Sequence, residues 1–202
     1  MRGGRLVFTR CRNDAGLTGD AVMDLGSAFM RSVRAKFAAQ KELAERAFGQ
    51  LPADRLAVAL SAETNSIAVI MKHLAGNMRS RWTDLLASDG EKAWRDRDRE
   101  FVDDFASHAD LLAYWEGGWS CLFAALDALA PDDLLKPVMI RGKPHSVVEA
   151  IHRQLDHYGY HVGQIVLIAR VLAGDTWQVL TVPRGGTKEY NARVWQRTEP
   201  RP

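Results

Sequence analysis

Apolar side chains recur at helical spacing in four stretches of the chain. From about Asp24 to Phe48, residues Phe29, Val33, Phe37, Leu43 and Phe48 form one face, with Lys and Arg between them, and Gly49 and Pro52 close the run. From about Ser66 to Leu86 the stripe is Ile67, Ile70, Met71, Leu74 and Met78, with Asn65 as the expected N-cap and Asp89-Gly90 as the stop. A third helix is predicted from about His108 to Leu129, capped by Ser107 with Asp110 in near capping-box position. Its Gly117-Gly118 pair weakens a helix by about 1 kcal/mol per residue relative to Ala, which predicts a kink or a close neighbouring backbone. The fourth spans about Val147 to Ala173, opened by the capping box Ser146/Glu149 and stopped by Gly174. It is long and mostly apolar, which predicts a central position.

The connections are short enough for one all-α domain, a four-helix bundle. Before the last helix, LLKPVMIRGKPHS predicts a small hairpin or extended loop around Arg141-Gly142. Beyond Gly174 a turn-rich tail is expected to fold back over the bundle, with residues 175–191 near the mouth of any site. Residues 1–22 read as a weakly ordered extension and 23–202 as the folded domain, with Met23 a second candidate start.

Charge and cysteine usage narrow the partners. A formal net charge of +2 with basic and acidic residues interspersed gives no nucleic-acid footprint. No stretch approaches the ~20 apolar residues of a membrane span, and the basic N-terminus lacks the apolar core of a signal peptide. Cys11 and Cys121 are far apart in unlike contexts, Cys121 in an apolar run that predicts a buried thiol, so a reducing, cytoplasmic compartment is expected.

The chemistry concentrates in QLDHYGYHVGQ, residues 154–164. His157 and His161 stand one turn apart and differ by about 40° around a helix, so both rings share a face. This spacing alone leaves two readings open, a metal-ligand pair or two half-buried rings bonded to neighbours. Tyr158 stands where the HExxH peptidase pattern needs Glu, which disfavours that class. His73, in the apolar face of the second helix, supplies a third candidate nitrogen, and facing helices of a bundle converge their ligands on the core. His152 falls on the far side of its helix, and His108 and His145 sit at a helix start and in a loop.

Around these rings, Asn77, Gln154 and Gln164 are candidate partners of the histidines or of a substrate, and equally polar residues at the ends of a buried stripe. Gly159 predicts a close neighbouring element, and Tyr158 and Tyr160 read as packing residues. No carboxylate is expected on the ligand face. Asp156 and Glu116 are general-base candidates only if the fold brings them near. Arg95, Arg97 and Arg99 alternate with acids and read as a solvated loop able to meet an anion. Pro183-Arg184-Gly185-Gly186 is a turn, not a P-loop.

The segments NSIAVIMKHLAGNMRSRWTDLL, DGEKAWRDRDREF and QLDHYGYHVGQIVLIARVL with WQVLTVPRG together resemble the DinB-like superfamily, and within it the DinB/YfiT-related group, over residues 24–192. The resemblance implies an up-down-down-up course and a divalent metal held by His73, His157 and His161. It also implies a homodimer and a metal-dependent enzyme, either a thiol S-transferase using a low-molecular-weight thiol or a hydrolase, acting on a small molecule. Zinc or nickel heads the metals that imidazole suits, with copper and iron behind. The competing expectation is a non-catalytic, stress-related or interaction protein with the same bundle and a structural or vestigial site. A DNA-associated role conflicts with the near-neutral charge.

Overall fold

A computed structural model describes residues 24–198, so the predicted extension, Cys11 and Met23 lie outside the described residues. The described chain is mostly helical. Five α-helices run α1 Leu25–Phe48, α2 Ile67–Trp82, α3 His108–Ala128, α4 Val147–Ala173 and α5 Thr187–Thr198, and a two-stranded hairpin, β1 Pro137–Ile140 and β2 Lys143–Ser146, precedes α4.

Local signals account for most boundaries. Asp24, Ser107 and Ser146 cap α1, α3 and α4 through side-chain oxygens that accept the orphan amides of Ser27, Asp110 and Glu149. In α4 the Glu149 carboxylate returns the bond to Ser146, completing the capping box. Two expectations for α2 are corrected. Its cap is Ser66, whose Oγ accepts from Val69, rather than Asn65. It also ends at Trp82, because Asp84 turns the chain with a positive φ of 50°.

The strands pair antiparallel, Ile140 opposite Lys143, with Arg141 (φ 54°) and Gly142 (φ 70°) at the tip. Both tip amides donate to the Asp89 carboxylate, at 2.9 and 2.7 Å, which ties the hairpin to the loop after α2.

α1 packs on α4, and α2 packs on α3 and α4. A shared core runs through Phe37, Met71, Leu74, Trp115, Trp119, Ile151 and Tyr158, all within 1% of full burial. The centre of the molecule is α2, not the longer α4. Of the 16 residues of α2, all but Arg79 are buried, because α3, α4 and two short 3-10 turns (53–57 and 98–101) enclose it. α4 buries one face only. Gly118 permits the α2–α3 approach, since a Cβ there would lie 2.6 Å from the Cα of Ala75. The expected close backbone is therefore Ala75's.

The tail folds back as expected at residues 177–180. Gln50, in the turn just after α1, exchanges hydrogen bonds with the backbone of Gln178, while Trp177 and Leu180 pack against the core. Helix α5, which was not anticipated, follows the Pro183–Gly186 turn.

Candidate metal centre

The three predicted histidines meet. One ring nitrogen from each of His73, His157 and His161 lies within 4.8 Å of the others, a group that could hold a metal ion. His73 comes from the middle of buried α2, and the other two from adjacent turns of α4 where that helix faces it. The Nε2 atoms of His73 and His157 are 3.3 Å apart. Two imidazole nitrogens on a tetrahedral cation at 2.0–2.1 Å stand about 3.3 Å from one another, so this pair already has the spacing a cation needs.

The outer nitrogens orient two of the rings. His73 Nδ1 lies 2.9 Å from Glu100 Oε2, and His161 Nδ1 lies 2.8 Å from Gln164 Oε1. Both partners are acceptors, so each Nδ1 carries the proton and each Nε2 presents a lone pair to the cluster. His157 differs, because its Nδ1 is buried and has no partner. Burial, reinforced by the neighbouring His161 and His73, pushes the His157 pKa down to about 3. Burial also lowers that of His161, against the raising effect of its Gln164 bond. Two neutral imidazoles at ordinary pH are the form that binds metal.

Glu100 is the residue that sequence reasoning missed. The charged 95–100 segment read as a solvated loop, and no carboxylate was expected on the ligand face. Instead the side chain of Arg95 is buried, and its Nε and Nη2 grip the two Glu100 oxygens at 2.7 and 2.8 Å. Burial opposes ionisation of Glu100, but the bonds from His73 and Arg95 outweigh it and hold its pKa below the usual glutamate value. The segment is held against α2 by the buried Lys72, which donates to the Val102 carbonyl and pairs with Asp104. Gly76, one turn beyond Lys72, clears the space: a Cβ there would sit 2.4 Å from Glu100 Oε1. Phe101 stacks on the His73 ring at 4.8 Å. The sequence signal for this arrangement was Lys72, His73 and Gly76 in the otherwise apolar first ten residues of α2. Its partner 28 positions downstream of Lys72 was not marked.

The other named residues distribute as follows. Gln164 partners the ring of His161. Asn77 instead accepts from the Tyr158 hydroxyl, which itself accepts from Trp82, a buried chain beneath the site. Gln154 is buried with its Oε1 unpartnered. Tyr158 packs as predicted, whereas Tyr160 is exposed and lines a cavity beside the histidines. Asp156 lines the same cavity, but Glu116 pairs with Lys41 of α1. Gly159 meets the side chain of Gln40 from α1. His152 is exposed and edge-on to Phe29, and the thiol of Cys121 is half-buried beside Thr83.

The cavity has a volume of about 370 Å³ and is walled by α2, the 90s loop, the hairpin tip and α4. No residue of 175–191 lines it, contrary to expectation, because Gln50 clamps that tail against α1. Among the described residues, no helix is long and apolar enough to cross a membrane.

No curated protein matches the chain. A family model does match, across residues 24–186, from the cap of α1 to the residue before α5 and including every residue of the histidine cluster and its partners. With that match spanning most of its length, the chain belongs to the family described as "Protein of unknown function (DUF1572)".

Proposed function

We propose that the protein is a divalent-metal-dependent enzyme of the DinB-like kind, with His73, His157 and His161 as the metal ligands. The observation that carries this reading is the tautomer logic of the cluster. Glu100 and Gln164 tie back the outer nitrogens of two rings, leaving their inner lone pairs aimed at one point. A group of three neutral imidazoles leaves the cation its full charge, and such a cation supplies an acidic bound water or holds a thiol as thiolate. Either a hydrolase or a thiol S-transferase can be built on it. The protein's own residues hold the rings, burial keeps His157 and His161 neutral, and His73 and His157 line a small-molecule-sized cavity.

Zinc or nickel suits this donor set, with a low-molecular-weight thiol as co-substrate in the transferase case. The helices are read as an up-down-down-up bundle. A homodimer fits the α4 stripe of Tyr160, Leu167 and Val171, all more than half exposed and within about 40° of one another around the helix. An alternative, a non-catalytic interaction protein, has no specific feature of the site in its favour.

The test is elemental analysis of the purified protein and of His73→Ala, His157→Ala and His161→Ala. One cation per chain is expected in the parent and a marked loss in each variant. Unchanged metal content in all three would overturn the proposal.

A further inference from the structure

Four arginines, Arg81, Arg97, Arg141 and Arg153, line the cavity beside His73 and His157, against one carboxylate, Asp156. They come from α2, the loop after it, the hairpin tip and α4, so the fold converges them from four places in the sequence. Arg81 is only 3% exposed, yet its Nε and Nη1 have no hydrogen-bond partner. Nη1 lies against Gly90, and among the described residues the carboxylate within ion-pair distance is Glu91, 3.7 Å from Nη2. Glu91 is also shared with Arg95 and Arg141. Arg97 and Arg153 are exposed and form no ion pair among the described residues. A buried, under-partnered guanidinium is costly unless an anion completes it. Gln154 and His157 line the same cavity, and each also carries a buried, unpartnered atom, Oε1 and Nδ1.

We propose that this cavity is the substrate pocket and that it takes a small molecule bearing carboxylate or phosphate groups, anchored by Arg81 and gathered by Arg97, Arg141 and Arg153. The planar fork of Arg matches both oxyanions in bidentate fashion. The inference rests on the metal-site reading for calling the anion a substrate, but not for the binding itself. Asp89 has a positioning part, since its grip on the hairpin tip sets where Arg141 stands.

The experiment is calorimetric titration of the full chain in chloride-free buffer with inorganic phosphate, with succinate, and with uncharged succinamide. Metal content is measured on every sample, and each titration is repeated after chelator dialysis. Arg97→Gln and Arg153→Gln, being exposed, are the variants that keep the fold, and Arg81→Gln is added where circular dichroism shows it folded. Expected are saturable binding of at least one anion and none of succinamide. Each arginine variant should weaken binding about tenfold or more, with metal content unchanged. Binding should persist after metal removal. Equal affinity in the arginine variants, equal binding of succinamide, or binding lost with the metal and indifferent to the arginines would overturn the proposal. Protein that carries no metal as purified, before any chelator treatment, yet binds anions through the arginines would leave this inference standing and sink the metal reading alone.

Discussion

Nδ1 of His73 lies 2.9 Å from Oε2 of Glu100, and both side chains are almost fully buried. A carboxylate behind a ligand imidazole fixes the ring's tautomer and raises its donor strength, and losing such a partner commonly costs about 10–100-fold in metal affinity. Glu100→Ala is therefore expected to weaken metal binding by about that factor, with Gln164→Leu weaker by a smaller factor because it removes a neutral acceptor. Competition against a chromogenic chelator measures both. Parent-like affinity in Glu100→Ala would show that the carboxylate serves the fold alone.

Gly76→Ala probes the same relationship without touching a polar group. The added methyl would lie 2.4 Å from Glu100 Oε1, and Arg95 holds that carboxylate by two bonds, so it has little freedom to yield. The variant should lose metal affinity in the same direction as Glu100→Ala, although Ala is the better helix former. The chelator competition reads this out, and a gain in stability with unchanged affinity would contradict it.

The acid sensitivity of the metal-free protein follows from the cluster. Burial and the adjacent rings lower His157 from 6.5 to about 3, and burial lowers His161. Between pH 6.5 and about 3 the unfolded chain binds more protons at these groups than the native protein does, so stability falls as pH falls across that window. Glu100, held below its ordinary value, adds to the loss at the acid end. Urea denaturation at a series of pH values should show this slope, and it should be shallower in His157→Ala. An identical slope in that variant would exclude His157 as its source.

Gly118→Ala should destabilise the fold rather than the site. Its methyl would stand 2.6 Å from the Cα of Ala75, a backbone atom that can move only with α2. Overpacking of this kind costs about 1–3 kcal/mol, read as a lower urea midpoint with unchanged m-value.

Asp89→Ala should free the hairpin tip. The amides of Glu91, Arg141 and Gly142 all donate to its carboxylate, and two of them belong to the turn that presents Arg141. Faster amide exchange at residues 141 and 142, with core protection retained, is the expected result.

Helices α1 to α4 were legible because each carries its own instructions, whereas α5 was not anticipated. Ser146, Glu149 and Gly174 mark the ends of α4, and the bounds of α3 and α4 follow from such caps within a residue. His157 and His161 share a face by helical geometry alone, and His73 stood out as a ring in an apolar stripe. Glu100 was not legible, because a carboxylate among Arg95, Arg97, Asp98 and Arg99 looks like any solvated charge run. Only burial against His73, Gly76 and Arg95 singles it out.

Local rules written into the chain thus determined helices α1 to α4, a turn at Arg141-Gly142 that left hairpin or extended loop open, and the three ligand candidates, since capping, turn chemistry and periodicity act over a few residues. Tertiary structure decided which helix is central, which carboxylate backs His73, and that four arginines from distant segments share one cavity with His73 and His157. Those outcomes depend on burial and on contacts across tens of residues, where a side chain's electrostatic role is set by what packs around it rather than by its neighbours in sequence.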